Sequence, residues 1–359
     1  MFSNPIGIKS FEDRLHKKPM FFNPYTFGGG SVGGWVELGR TTLGSATSTI
    51  DVSSLADKRY YMILNNYAAS IDSHLRLNAD SGSNYAQRRS DNGGADSSNT
   101  SQTKMAFQAG AAGTNARFTV GYISNLSTAE KLGQWWTNIQ STAGAGTAPS
   151  RTEGIGKHAQ TTNPIDQMTI VNTGGNFPIG SEIVVLGWDA ADTHTTNFWE
   201  ELSSTDLSGG AAATLDSDTF TAKKYLWVQC YVTSAGSAVN PMFRFNTDSG
   251  SNYAFRWSQN GGADATGVSK DGMQFSQANS TNEHFINFFV INNSSNEKLV
   301  ILHQNEQSGT GAANAPLRTE SVHKWANTSS QITKVNLVQD GGGTNNFGTE
   351  TILKVWGSD

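Results

Sequence analysis

The stretch Arg76–Asp96, RLNADSGSNYAQRRSDNGGAD, returns as Arg244–Asp264, RFNTDSGSNYAFRWSQNGGAD. Sixteen of these 21 positions are identical at a constant offset of 168, which chance does not produce. The correspondence extends outward. Met105-Ala-Phe107 matches Met273-Gln-Phe275, and Ala148-Pro-Ser-Arg-Thr-Glu153 matches Ala315-Pro-Leu-Arg-Thr-Glu320. Trp35-Val-Glu-Leu38 resembles Trp199-Glu-Glu-Leu202. A period of about 165 residues is far too long for a solenoid unit or propeller blade. Each copy is therefore a whole domain able to close its own core. The chain divides into an arm over 1–33, a first copy over 34–190 and a second over 191–359, joined by a short polar stretch near Asp189–Asn197.

Composition narrows what each copy can be. Charged residues make up 15% of the 359-residue chain, against roughly 25% in an ordinary soluble domain. That excludes a coiled coil or long helical bundle. No run of about 18 apolar residues exists to span a membrane as a helix. A net charge of −5 without basic clusters is a poor match for nucleic acid. The single cysteine, Cys230, can make neither an internal disulfide nor a cysteine-based metal site and is read as a small core residue. The first residues, MFSNPIGIKSFEDRLHKKPMFF, lack the basic and then apolar segments of a signal peptide.

Short apolar runs such as Tyr60–Leu64, Arg117–Ile123, Ile183–Trp188, Tyr225–Val232 and Phe285–Ile291 alternate with Asn-Gly, Gly-Gly and Asp-Ser-Gly clusters. This is the punctuation of an all-β sandwich or barrel. Helical periodicity is confined to Ile8–Lys18 and to one turn over Ser127–Gln134. The expected fold is two tandem jelly-roll-like β-sandwiches from an internal duplication, preceded by an extended N-terminal arm.

The repeat permits an argument about faces, because strand side chains alternate. Tyr253, Phe255 and Trp257 share one face of a strand whose counterparts are Tyr85, Gln87 and Arg89. A core does not readily exchange Phe for Gln or Trp for Arg. That face is expected to be exposed in the first copy and to present aromatic rings to solvent or a partner in the second. Trp136 and Trp325 align with His303 and His158 and are further copy-specific aromatics, whereas Trp135 aligns with Leu302 and reads as core. Phe255, Trp257, Trp136 and Trp325 are the candidate interface residues, since aromatics are enriched at protein contacts. Stacking on host glycan and ordinary packing within the domain are the alternatives.

The repeated loops have two readings. Asp80 and Asn84, with Asp248 and Asn252, carry hard oxygen ligands that calcium takes. They also carry the side chains that close strand-joining turns, and turns are the expectation. Asp96 and Asp264 follow Asn-Gly-Gly-Ala in each copy, with Arg88 and Arg256 placed to brace them. No cofactor or metal is expected. The seven histidines show no zinc spacing, and the chain has no P-loop. Glu153/Glu320 and Glu182/Glu350 occur in both copies, which points to scaffold, and no catalytic residue is assigned. The arm mixes Phe2, Phe11, Met20, Phe21, Phe22, Tyr25 and Phe27 with three prolines. Left in water these side chains are an aggregation liability, so the arm is expected to dock on a neighbouring subunit, the alternative being its own domain.

The block Asp-Ser-Gly-Ser-Asn-Tyr-Ala-x-Arg, and endings such as Gly174-Gly-Asn-Phe-Pro-Ile-Gly180 and Gly343-Thr-Asn-Asn-Phe-Gly348 before a last strand, resemble β-sandwich virion proteins of tailed bacteriophages, especially marine ones. The resemblance covers both copies and not the arm. It implies a non-enzymatic capsid-decoration, cement, tail or fibre component, assembled in a host cytoplasm and located in the virion. Implied partners are further copies of the chain (a trimer is one option) and virion proteins such as the major capsid or tail protein, without nucleic acid or membrane. The other readings are a carbohydrate-binding adhesin and a polysaccharide-degrading enzyme.

Overall fold

A computed structural model describes residues 34–359, apart from 70, 71, 109–114, 173, 191, 193, 195, 276–279 and 341–344. The arm, with Phe2, Phe11, Phe21, Phe22, Tyr25 and Phe27, lies outside the described residues. Among the described residues there is no α-helix. The all-β duplicated sandwich expected from the repeat is what the chain forms. Ser127–Gln134 is a turn running into a strand, because the apolar residues that follow alternate with a period of two and not of 3.6.

Each copy stacks a large sheet on a small one. The first large sheet runs β1 (Val36–Thr42), β12 (Glu182–Trp188), β3 (Tyr60–Ala68), β8 (Ala116–Ser124), β9 (Lys131–Ile139), β10 (Ser150–His158), β5 (Tyr85–Asp91) and β6 (Ser97–Gln102). The small sheet runs β2 (Thr49–Ser53), β11 (Gln167–Val171), β4 (His74–Leu77) and β7 (Met105–Ala106). The second copy repeats this order strand for strand. Its large sheet is β13 (Glu200–Asp206), β24 (Ile352–Ser358), β15 (Tyr225–Val232), β20 (His284–Ile291), β21 (Lys298–Glu306), β22 (Leu317–Trp325), β17 (Tyr253–Gln259) and β18 (Ala265–Lys270). Its small sheet is β14 (Thr214–Asp216), β23 (Val335–Gln339), β16 (Pro241–Phe245) and β19 (Met273–Gln274). All of the strand pairs are antiparallel.

Each sandwich has its own core between its sheets. Tyr61, Ile63, Leu75, Trp135, Ile170 and Val185 lie in the first, and Val228, Phe243, Phe288, Leu302, Trp325 and Leu337 in the second. A third apolar layer joins the domains. Met62, Leu64, Phe118, Val120, Val184 and Leu186 of the first copy pack against Trp199, Tyr225, Phe289, Leu299, Ile301 and Val322 of the second. These side chains alternate with core residues along the same strands, so they stand on the outer faces of the two large sheets. The unbroken runs Tyr61–Leu64, Ile183–Leu186 and Leu299–Leu302 are thus buried on both sides. An alternating strand would have left one side wet.

Buried polar ties lock this contact. Tyr225 donates its hydroxyl to Glu182 at 2.6 Å and accepts from Asn66 at 2.7 Å, while Lys224 pairs with Glu182 at 2.9 Å. Asn138 donates to the carbonyls of Val300 and His323 at 2.8 and 2.7 Å. Buried Lys324 donates to the carbonyls of Gln140 and Thr142. Arg151 forks onto Asp264 with contacts of 2.8–3.1 Å, and Arg256 donates to the Pro149 carbonyl at 2.9 Å.

The Arg151–Asp264 pair allows a test with an internal control. Removing one member of a buried pair leaves an uncompensated charge, and the Asp264 side chain is only 3% exposed. Asp264→Asn is expected to cost about 3 kcal/mol in urea unfolding. The aligned Asp96 faces Arg88 at 3.6 Å with both side chains more than half exposed, so Asp96→Asn should change stability by less than about 0.5 kcal/mol. Equal effects would contradict the assignment.

Acid sensitivity follows from the histidines of the second copy. Burial pushes His284 and His303 down to about 4 and His323 to about 3. Their neutral forms are favoured in the fold, so the unfolded chain takes up protons first as pH falls below about 6.5. Stability is expected to be full above that value and to drain away down to pH 3–4. Thermal unfolding at pH 4.5 should come at least ~5 °C below that at pH 7, and His323→Gln should flatten the slope.

Candidate functional site

The duplicated Asp-Ser-Gly-Ser-Asn loops are closed turns. Asp80 accepts from the Gly82 amide at 2.7 Å and from the Asn84 side chain at 2.8 Å, and Asp248 does the same with Gly250 and Asn252 at 2.8 and 2.9 Å. Asn78-Ala79 and Asn246-Thr247 adopt positive φ in both copies, which turns the chain from the small sheet to the large one. The aligned pair His158 and Trp325 performs one task with two chemistries. His158 Nε2 lies 2.7 Å from Asp80, and Trp325 Nε1 donates to Asp248 at 2.7 Å. Each ring also stacks on its domain's tyrosine, Tyr85 or Tyr253. Burial alone would raise the Asp80 carboxyl, but the bonds from His158, Asn84 and Gly82 outweigh it and hold it below its ordinary value. Arg88 and Asp96 form the expected brace on the surface. In the second copy Arg256 and Asp264 are drawn into the domain contact instead.

The aromatic interface expected at Phe255, Trp257 and Trp325 is corrected. Trp325 is core, 1% exposed, and Phe255 and Trp257 are 5% and 7% exposed. They share the face of Tyr253, which points inward between the sheets. The Phe255 ring lies 5.8 Å from His323 and over Gly267, where any side chain would overlap it. Their counterparts are polar without being exposed, because each finds a partner. Gln87 accepts from the Ala106 amide at 2.6 Å, and Arg89 pairs with Asp91 at 3.0 Å. Trp136 does lie at an interface, but within the molecule, against His303 at 4.9 Å.

That contact reveals the symmetry of the domain pair. Trp136 and His303 occupy the same position in the two copies. Glu153 and Glu320 also align, and they meet. Residues that touch their own counterparts mark a two-fold axis relating the copies. The Glu153 carboxyl is raised, first by burial and then by the neighbouring Glu320, against the pull of Arg151. Both carboxylates share one cation, Arg151 Nη1 lying 3.0 Å from Glu153 and 3.7 Å from Glu320.

The symmetry is broken away from the axis. Tyr225 and Lys324 reach across to the first copy, but their counterparts Tyr60 and Lys157 do not reach the second. Tyr60 is 40% exposed and stacks on Trp188 at 5.5 Å, and Lys157 bonds Glu130 of its own domain at 2.9 Å. The contact is therefore shut on one side and open on the other. The open side is a trough of about 880 Å³ across the outer face of the first large sheet, running from Trp188 on β12 to Ser98 and Thr100 on β6. Trp35, Tyr60, Tyr122 and Trp188 form its aromatic end, Leu132 and Ile155 its floor, both 57% exposed, with Gln134 between them.

The residues of this trough were not picked out from sequence. A signal was present: Lys298-Leu-Val-Ile-Leu-His303 is continuous and apolar, whereas its counterpart Lys131-Leu-Gly-Gln-Trp-Trp136 is not. One face of β9 had therefore lost its cover.

No protein-family model matches this chain, and no curated protein does. Among solved structures, it is similar to domains LG4-5 of the mouse laminin alpha1 chain. The likeness has 11% identity and a TM-score of 0.20, covering 90% of this chain and 89% of that one.

Proposed function

We propose that the protein is a non-enzymatic structural component of a virion, a capsid-decoration, cement, tail or fibre protein, in which the duplicated sandwich is a rigid block that offers one outer sheet face to a partner. One observation carries this reading. The two copies are built on one template and press their outer faces together, yet the part around Tyr225 and Ile301 is covered in the second copy while the equivalent part around Tyr60 and Gln134 is left open in the first. The face that binds within the molecule is the face available for binding outside it. The buried charges support the same reading. Arg151, Asp264, Lys324 and Glu182 are spent on fixing one domain to the other.

The likeness of the repeated block to phage virion proteins supplies the setting. Assembly in a host cytoplasm and association with further copies or with capsid or tail proteins follow from that setting. The arm over 1–33, rich in Phe and Tyr, is the segment suited to anchor each subunit.

Purified particles analysed by mass spectrometry are expected to contain the chain in stoichiometric amount. A chain lacking residues 1–27 should stay soluble and folded but fall by about tenfold or more in particle incorporation. Absence of the full chain from particles would refute the virion role, and undiminished incorporation of the truncated one would refute the anchoring role.

A further inference from the structure

The trough differs from the face that closes the domain contact in a specific way. Along the middle of the second copy's face stand Ile291 and Ile301, both buried. The aligned positions in the first copy are Ser124 and Gln134, on the adjacent strands β8 and β9, and both line the trough. Three rings of the aromatic end are kept, Trp199, Tyr225 and Phe289 corresponding to Trp35, Tyr60 and Tyr122, and a fourth is added, Trp188 standing where the second copy has Ser358. The cores of protein contacts are more apolar than the surface around them. A face converted to amide and hydroxyl at its centre, with its rings retained at one end, is suited to a ligand that is apolar on one face and hydroxylated at its edge.

Charge restricts the ligand further. The cations at the trough, Arg88 and Lys157, each face a carboxylate of their own domain, Asp96 at 3.6 Å and Glu130 at 2.9 Å. The site therefore does not ask for an anion. Its shape asks for something long. It crosses the sheet from β12 to β6, seven strands, or about 29 Å at ~4.8 Å per strand spacing. Its volume falls among those of ligand sites, which combine an apolar lining with a few polar groups.

We infer that the outer face of the first domain binds a neutral oligosaccharide chain, with sugar rings stacked on Trp188, Tyr60 and Trp35 and hydroxyls met by Gln134, Ser124 and the β6 side chains Ser98 and Thr100. This rests on the proposed role of that face and names its ligand. It moves the carbohydrate site away from Phe255 and Trp257, which are buried in the second copy, to residues of the first copy.

The copy-two residues supply the decisive variant. The full chain is titrated by tryptophan fluorescence with neutral β-1,4-, β-1,3- and α-1,4-linked gluco-oligosaccharides and screened on an array of neutral glycans. Wild type is expected to bind at least one of them. Trp188→Ala and Gln134→Ile should each weaken binding ~10-fold or more, with urea midpoints within error of wild type for Gln134→Ile. Gln134→Ile restores the aliphatic residue of the closed face, so it separates the two kinds of surface. Weaker sugar binding supports the inference. Unchanged sugar binding, or tight association of wild type with a particle protein that Gln134→Ile strengthens, overturns it. No binding to any neutral glycan also overturns it. The virion role is judged separately, by the presence of the chain in particles.

Discussion

The outer faces of two large sheets press together, and the rest of the molecule is arranged around that contact. It buries a third apolar layer between two sandwiches that already have cores of their own. Sandwiches need only one buried face per sheet, and a second apolar face is a liability unless something covers it. Here the duplication supplies the cover. Because burial of apolar area is non-directional, the register of the two sheets is left to polar groups. Asn138, Lys324, Tyr225 and the Arg151–Asp264 fork find their partners only in one arrangement.

Duplication also exposes what each copy was free to change. Where both copies keep a residue type, the local geometry demands it. Asp80 and Asp248 close the same turn, and Tyr85 and Tyr253 bond the same backbone groups. Where they differ, the surroundings differ. His158 and Trp325 are interchangeable because each can present a ring nitrogen to an aspartate. Asp96 stays in solvent while Asp264 is buried under Arg151. Gln134 and Ile301 diverge because one faces open water and the other faces the neighbouring domain.

The asymmetry of the pair is what produces a site. A perfect two-fold contact would close both wings or leave both open, and the aligned residues would be equally buried. Instead Tyr225 is fully buried and Tyr60 is not. The same aromatic template then serves adhesion between domains in one copy and a trough in the other. The change needed the loss of cover, the exchange of two isoleucine positions for serine and glutamine, and a tryptophan, Trp188, where the second copy has Ser358.

The fold class, the two-domain division and the role of the repeated turns were legible in the residues, since they rest on local chemistry: β-branched and aromatic runs, Asx turns, and an offset that holds for 21 positions. The inward direction of Phe255 and Trp257 was not. Exchange of Phe for Gln looked like exposure, but Gln87 satisfies its amide on the Ala106 amide and Asn99 within the sandwich. Which outer face is covered was likewise decided only by tertiary structure. Alternation along a strand separates one face from the other, but it does not say what stands opposite. That depends on how two domains, distant in sequence, bring their sheets together.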